Sequence, residues 1–360
     1  MTAVASPRAA FHSWRTDAPE PMQVAWPADT TRAGPEMIAQ ALAQTMGEVR
    51  ASSSDCPTVA ARTRSLLNDA LERLDEETRR CGCGRLHRET IASLFRHDVP
   101  RQMLLCMEAL DFENRKVAMR LLDAVVRRAL TPPCDAAELV ESYMREHPDT
   151  LQHLLAGCGK LEVFFLCSPL IKSFARSPSM AKALLDAGAA NHLLDLAFHQ
   201  NFDIASEAFV ALRELLLAHA DISAEYVQDH ASSFFPAWHL LLSSEDNYVI
   251  KRQALRFLAE MLLDASFQDV MCEYVRTEQY LRIHMNLLID DSVTIQLEAF
   301  HVFKLFVANP YKPARLQLIL AKNRHGLVKK VKYLSGVQRD DAQFESDAAH
   351  VIGALTSLEG

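Results

Sequence analysis

A tyrosine and two arginines recur at every fourth residue in one segment of this 360-residue sequence, which reads NYVIKRQALRFLAE. In a helix, Tyr248, Arg252 and Arg256 would form a single ridge, because residues four apart are neighbours on a helix surface. An aromatic ring and two guanidinium groups are unlike a core stripe, and such side chains dominate many protein-binding surfaces. The ridge is therefore either a solvent-exposed face without a partner or part of a groove that binds a peptide.

The sharpest candidate for a metal site is Cys81-x-Cys83 followed by His87, with His97 further along the chain. Zinc sites use four ligands and usually more widely spaced cysteine pairs, so this tight spacing without a second pair favours a loop without metal. The sequence contains none of the motifs typical of serine hydrolases, zinc proteases, P-loop NTPases, dinucleotide-binding folds or EF-hands. It thus predicts a protein without enzymatic activity, metal or cofactor.

The composition indicates an all-α protein. The chain has 38 basic and 46 acidic residues, a net charge of −8 that argues against nucleic-acid binding. Only 11 residues are glycine, whereas sheets use many glycines in their turns. No run of about 18 apolar residues could cross a membrane, and most of the eight cysteines stand singly in apolar runs, as in a reducing compartment. We therefore expect a cytoplasmic protein with no membrane or nucleic-acid partner.

A repeat of about 45 residues indicates how the helices are arranged. Five segments, which start near residues 111, 156, 201, 247 and 292, align so that a small residue usually stands beside large apolar ones at their seventh to ninth positions. Polar residues suited to N-cap positions precede four of them: Asp111, Asn201, Asn247 and Ser292. This period is typical of armadillo and HEAT repeats, so the predicted fold is an armadillo/HEAT-like α-solenoid, a curved superhelix.

The two ends of the chain differ from the repeats. Residues 1–34 contain prolines and polar residues without periodicity and are predicted to form a flexible tail, whereas 35–360 are predicted to form the solenoid. The segment 313–358 is expected to form C-terminal capping helices. It carries the one basic run of the sequence, which is either a solvated helix face or a contact for an anion or an acidic partner: Lys322, Arg324, His325, Lys329, Lys330 and Lys332.

Several long strings in the second half of the sequence resemble a known family. They are NFDIASEAFVALRELLLAH (201–219), SAEYV (223–227), NYVIKRQALRFLAEMLLD (247–264) and HMNLLIDDSVTIQLEAFHVFKLFVANPYKP (284–313), and LDFENRKVAMRLLDAVVRR (110–128) agrees more loosely. On these strings the sequence resembles the calcium-binding protein 39 (mouse protein 25-like) family of kinase scaffolds. The resemblance is strongest over 201–334 and weakens toward the N-terminus.

This resemblance implies a non-catalytic scaffold that binds a protein kinase or a STRAD-type pseudokinase, of the sterile-twenty or germinal-centre type, and stabilises its active conformation. It also implies a pocket for a Trp-x-Phe motif at the C-terminus of the partner, formed by Arg252, Met285 and Lys322, with Arg256 on the same ridge. Met285 would supply an adaptable apolar wall, and the two cations could bind carboxylates of the motif.

By the same resemblance, Tyr248 and Phe267 match residues that contact the kinase domain. Two positions depart from the family: Ala265 stands about where a basic residue is usual, and His284 replaces the first of two methionines. The alternative function is a general α-solenoid adaptor for morphogenesis, cytoskeletal or trafficking assemblies that has no kinase partner.

Overall fold

A computed structural model describes residues 34–51, 57–80, 85–131, 136–243 and 247–358, with the backbone alone at 78–80 and 85–87. The predicted tail up to residue 33 and the Cys81-x-Cys83 candidate, with the His87 side chain, lie outside this description. Within it the chain forms α-helices, one short 3₁₀-helix (Ala265–Phe267) and no strand, so the all-α prediction is confirmed.

The helices are α1 (Pro35–Ala51), α2 (Pro57–Arg80), α3 (Arg85–Arg96), α4 (Val99–Leu105), α5 (Phe112–Leu130), α6 (Ala137–Glu146), α7 (Asp149–Cys158), α8 (Leu161–Ala175), α9 (Pro178–Asp186), α10 (Ala189–Leu196), α11 (Phe202–Leu217), α12 (Ala220–Asp229), α13 (Ala231–Ser243), α14 (Tyr248–Leu263), α15 (Gln268–Tyr274), α16 (Glu278–Leu287), α17 (Val293–Ala308), α18 (Ala314–Val337) and α19 (Ala342–Thr356).

Six of these helices, α2, α5, α8, α11, α14 and α17, pack side by side and form what we call the central helix row. Neighbours in the row run parallel. Near the start of α5 and α8, Arg115 lies 3.7 Å from Glu162, and further along both helices Ser173 donates a hydrogen bond to Asp123 (2.5 Å). Shorter helices pack on the row, so the fold is the predicted armadillo-like α-solenoid.

The register of the repeat differs from the prediction in the second segment. Four helices of the row begin one residue after the predicted starts, but residue 156 lies inside α7, and α8 begins at Leu161. The predicted start at 156 is therefore wrong, because apolar helices match one another about equally well when they are shifted by one turn. In the structural register, the sixth residue after each helix start is small and fully buried, which lets neighbouring helices pack closely: Ala118, Cys167, Ala208, Ala254 and Ala299.

Side-chain caps define the starts of three helices in the row. Asp111, Asn201 and Asn247 each accept a hydrogen bond from a backbone N–H in the first turn, as predicted. Ser292 also stands at an N-cap, yet its side chain makes no capping bond. The four predicted caps are thus placed correctly, and three of them bond to the helix.

Replacing Asn201 with alanine is expected to lower the free energy of unfolding by about 1 kcal/mol, because two backbone N–H groups of α11 lose their acceptor. Urea denaturation followed by circular dichroism measures the change. Ser292→Ala is the matched control, since it alters the same helix position in a helix whose N-cap side chain makes no capping bond. Equal losses in both variants would contradict a capping role for Asn201.

At its C-terminal end the solenoid is covered by two helices. α18 continues for 24 residues without interruption and packs on α16, α17 and α19. Lys304 of α17 forms an ion pair with Asp347 of α19, with 2.5 Å between Nζ and Oδ2. Among the described residues, no helix combines the length and the apolar character needed to span a bilayer.

Candidate protein-binding site

The structure places Tyr248, Arg252 and Arg256 on one exposed face of α14. The Nε atom of Arg252 lies 3.4 Å from Oε1 of Glu298 on α17, and the arginine side chain stays largely exposed while the glutamate is mostly covered. Arg252 is therefore held at its base by a neighbouring helix and still presents guanidinium N–H groups to solvent. Such a group can bind a second carboxylate.

The Arg252–Glu298 ion pair is one of five that join neighbouring helices of the central helix row. An ion pair of this kind bridges each of the junctions in the central helix row: Arg64–Asp111, Arg115–Glu162, Lys172–Glu207, Arg213–Glu260 and Arg252–Glu298. An exposed ion pair contributes only about 0–1 kcal/mol to the free energy of unfolding. These pairs therefore serve mainly to fix how neighbouring helices are aligned. Arg213 is therefore a natural control for Arg252, because it has the same structural role without having been predicted to bind a peptide.

Tyr248 joins the start of α14 to the start of α17. The hydroxyl groups of Thr294 and Ser292 hydrogen-bond its phenol and lower the pKa of Tyr248. The ring itself remains 44% exposed. The tyrosine is thus positioned by α17 while its apolar surface stays available to a partner.

The other two predicted pocket residues lie on separate helices. Met285 is half-buried on α16, and Lys322 is exposed on α18. Both helices pack against α17, as α14 does, so Arg252, Met285 and Lys322 are carried by three neighbours of one helix. No hydrogen bond or ion pair between described residues joins the three side chains to one another.

Phe267 does not lie where a contact residue should. Its side chain is 0% exposed in the 3₁₀-helix, which packs among α12, α14 and α15. In this conformation Phe267 is a core residue and cannot touch a partner, because the helices packed around the 3₁₀-helix cover its ring. His284, next to Met285, is also fully buried and faces the core rather than a pocket.

Sequence reasoning missed an exposed apolar row at one edge of the central helix row. The first residues of α5, α8, α11 and α14 are Phe112, Leu161, Phe202 and Tyr248, which are 56%, 43%, 49% and 44% exposed. Because these helices are adjacent and parallel, the four side chains line one edge, and at about 8–10 Å between helix axes they span roughly 24–30 Å. Large exposed apolar surfaces of this kind mark interaction sites.

A sequence signal for this row does exist. Polar N-cap residues are followed directly by an aromatic residue at Asp111-Phe112, Asn201-Phe202 and Asn247-Tyr248. In these three helices the aromatic residue at the first position is exposed, although residues of the following turns are buried. Among the described residues, no group of three or more histidine, cysteine or acidic side chains could hold a metal ion.

Together these features define a class: an armadillo-type α-solenoid that presents large apolar side chains at the first position of four neighbouring helices and exposed arginines on α11 and α14. The sequence model of the Mo25-like family matches residues 28–359. The chain therefore belongs to the Mo25-like family, and the resemblance described above is confirmed.

The chain is also similar to individual proteins over most of its length. The chain is 34% identical to the degreening-related gene dee76 protein of Auxenochlorella protothecoides, over 76% of this chain and 84% of that protein. It is 32% identical to calcium-binding protein 39-like of Mus musculus, over 70% of this chain and 74% of the relative. A designed armadillo repeat protein of known structure covers 71% of this chain and 99% of its own, with 16% identity and a TM-score of 0.43. Family membership supports a scaffold or adaptor role of the Mo25 type.

Proposed function

We propose that this protein is a non-catalytic scaffold that binds the folded domain of a protein kinase or pseudokinase, of the sterile-twenty or germinal-centre type, and stabilises its active conformation. The exposed apolar row carries the proposal. Four large side chains on four neighbouring helices, over roughly 24–30 Å, suit contact with the surface of a folded domain. Tyr248 lies at one end of this row and was predicted as a kinase-domain contact.

Activation in this proposal is a shift of populations. A scaffold that binds the active conformer tenfold more tightly than the inactive one favours the active conformer by about 1.4 kcal/mol. The parallel helices of the central row are suited to this task, because their buried small residues and bridging ion pairs hold the exposed residues in fixed positions. A rigid surface selects one conformer of its partner more strongly than a flexible one does.

The proposal includes a tail pocket for a Trp-x-Phe motif, built from Arg252, Met285 and Lys322, with Arg256 beside them. The exposed guanidinium of Arg252 and the ammonium of Lys322 are free to bind the acidic residue or the terminal carboxylate of the motif. Half-buried Met285 supplies an apolar surface for an aromatic ring. The tail would tether the partner while the exposed apolar row binds its domain.

A fluorescein-labelled peptide that ends in Trp-Glu-Phe is expected to bind with a Kd on the order of micromolar, about −8 kcal/mol. Arg252→Ala and Met285→Ala should each weaken binding at least tenfold, by about 1.4 kcal/mol. Fluorescence anisotropy measures the affinities. Arg213→Ala, which removes an equally exposed arginine from an equivalent junction, should leave them unchanged. If the wild type is well folded and does not bind the peptide, the alternative function becomes the better proposal, namely an α-solenoid adaptor that has no kinase partner.

The setting that we propose is the cytoplasm, and the absence of enzymatic activity belongs to the same proposal. Cys106, Cys158 and Cys167 are free and buried, and unpaired buried thiols are typical of reducing compartments. Burial also raises the pKa of the Cys106 thiol to about 11, which makes this cysteine a poor nucleophile.

A further inference from the structure

α18 is a cationic helix in an acidic protein. Its 24 residues include six lysines and arginines and no aspartate or glutamate, whereas the whole chain has a net charge of −8. Three of these cations are engaged within the fold: Arg315 pairs with Glu278, Arg324 donates to the carbonyl oxygen of Leu358, and Lys330 donates to Gln296. The remaining three cations, Lys322, Lys329 and Lys332, form no such bond within the described part of the fold.

These lysines lie along a single exposed face. At 100° per residue, the outward face of α18 contains Leu318, Lys322, His325, Lys329, Lys332 and Tyr333, which we call the α18 stripe, and all six are exposed. The opposite face is buried through residues such as Leu320, Leu327 and Val331. No ion pair between described residues neutralises the lysines of the α18 stripe.

Apolar side chains stand at both ends of the α18 stripe. Leu318 and Tyr333 are each about half exposed, and fifteen residues of helix place them about 22 Å apart. The Nζ atom of Lys330, held by Gln296, lies 4.9 Å from the centroid of the Tyr333 ring and positions the ring. A surface with apolar ends and a cationic middle fits a ligand with the complementary pattern.

We propose that the α18 stripe binds an acidic peptide segment of a partner protein, whose carboxylates contact the lysines and whose apolar residues contact Leu318 and Tyr333. Charge complementarity carries this choice of partner. An anionic membrane would be repelled by exposed Asp340, Asp341 and Glu345, which lie directly beyond α18, whereas a narrow peptide can follow the stripe alone. The surface is distinct from the exposed apolar row, and its existence does not depend on a kinase partner.

The test uses a fluorescein-labelled dodecapeptide, Glu-Leu-Glu repeated four times, and the full-length protein at low salt. The double variant K329E/K332E should bind it at least about tenfold more weakly than wild type, and Tyr333→Ala should also weaken binding. The matched control K182E/R276E exchanges two exposed cations away from α18, one in α9 and one in the turn after α15, for the same change in charge and should bind like wild type. Lys322 belongs to both the α18 stripe and the proposed tail pocket, whereas Arg252 belongs to the pocket alone. Arg252→Ala should therefore bind the acidic peptide like wild type, which shows that binding depends on the stripe and not on the rest of the pocket.

Two further ligands separate the acidic peptide from simpler explanations. A peptide with glutamine in place of leucine should bind more weakly, because the apolar ends of the stripe lose their contacts. Vesicles that contain phosphatidylserine should not sediment with the protein. The proposal is overturned if K329E/K332E binds the acidic peptide as tightly as wild type, if K182E/R276E loses as much affinity, or if only the vesicles bind.

Discussion

Lowering the pH from 7 to 5 is expected to remove about 3–4 kcal/mol from the free energy of unfolding, through two buried histidines. His239 and His284 lie on either side of Tyr274, whose hydroxyl oxygen is 2.8 Å from Nε2 of His239 and 2.7 Å from Nε2 of His284. Burial lowers the pKa of His239 to about 4. Burial, together with the charge that His239 would carry, lowers that of His284 to about 3.

The sign follows from proton uptake by the unfolded chain. In the unfolded state both histidines titrate near the ordinary histidine pKa of 6.5, whereas the folded state keeps both neutral until the pH is far lower. Below about 6.5 the unfolded state therefore binds more protons, and the stability that is present at pH 7 is lost as the pH falls toward 4 and 3. Burial also lowers the pKa of His192 and of His301, which act in the same direction.

Urea denaturation at pH 7 and at pH 5 measures the difference. His284→Met is the informative variant, because it removes one titrating group and also the Nδ1 atom of His284, which is buried without a hydrogen-bond partner. This variant should lose about half of the pH dependence, while His239 keeps its bond to Tyr274. An unchanged pH dependence in His284→Met would show that other groups cause the acid sensitivity.

The sequence allowed the fold to be predicted well because its strongest signals are local. N-caps such as Asn201 and the small residues of the central helix row recur with the repeat, and each is selected by packing within one or two turns. The exception is α8, whose start at Leu161 follows Lys160, a residue type that is not favoured at N-caps. Without a cap, the apolar pattern alone could not distinguish the true register from one shifted by about one turn.

The candidate site was harder to predict, because exposure is a tertiary property. Tyr248 and Phe267 are both aromatic residues that match family positions, yet one is 44% exposed and the other is fully buried. The difference depends on the short loop after α14, and sequence periodicity does not describe such loops. Phe202, for which the sequence pattern made no prediction, is 49% exposed at the first position of α11.

Stability and binding use different parts of the same helices. The packed faces of the central helix row are continuous through buried small residues, and the bridging ion pairs keep neighbouring helices in register. The first residues of these helices make few of those contacts, so they can be changed at little cost to the fold. A binding surface built from helix starts can therefore diverge between members of a family while the solenoid is retained.

Aspartate in place of both Phe202 and Tyr248 is accordingly expected to weaken binding of a sterile-twenty-type kinase or pseudokinase domain at least about 100-fold, or 2.7 kcal/mol. The two substitutions remove half of the exposed apolar row and bring charges into an interface that must lose its water. Because both side chains are about half exposed in the free protein, the free energy of unfolding should change by less than about 1 kcal/mol.

Isothermal titration calorimetry with the purified domain measures the affinity, and circular dichroism checks the helical content. The matched control is V210D/L240D, which places the same charges at two exposed apolar residues outside the row. Loss of binding in F202D/Y248D with binding retained in V210D/L240D assigns the interface to the helix starts. If both variants bind the domain as tightly as wild type does, the exposed apolar row has no part in the proposed function. If the protein then binds only the Trp-Glu-Phe peptide, it tethers its partner by the tail and does not hold the folded domain.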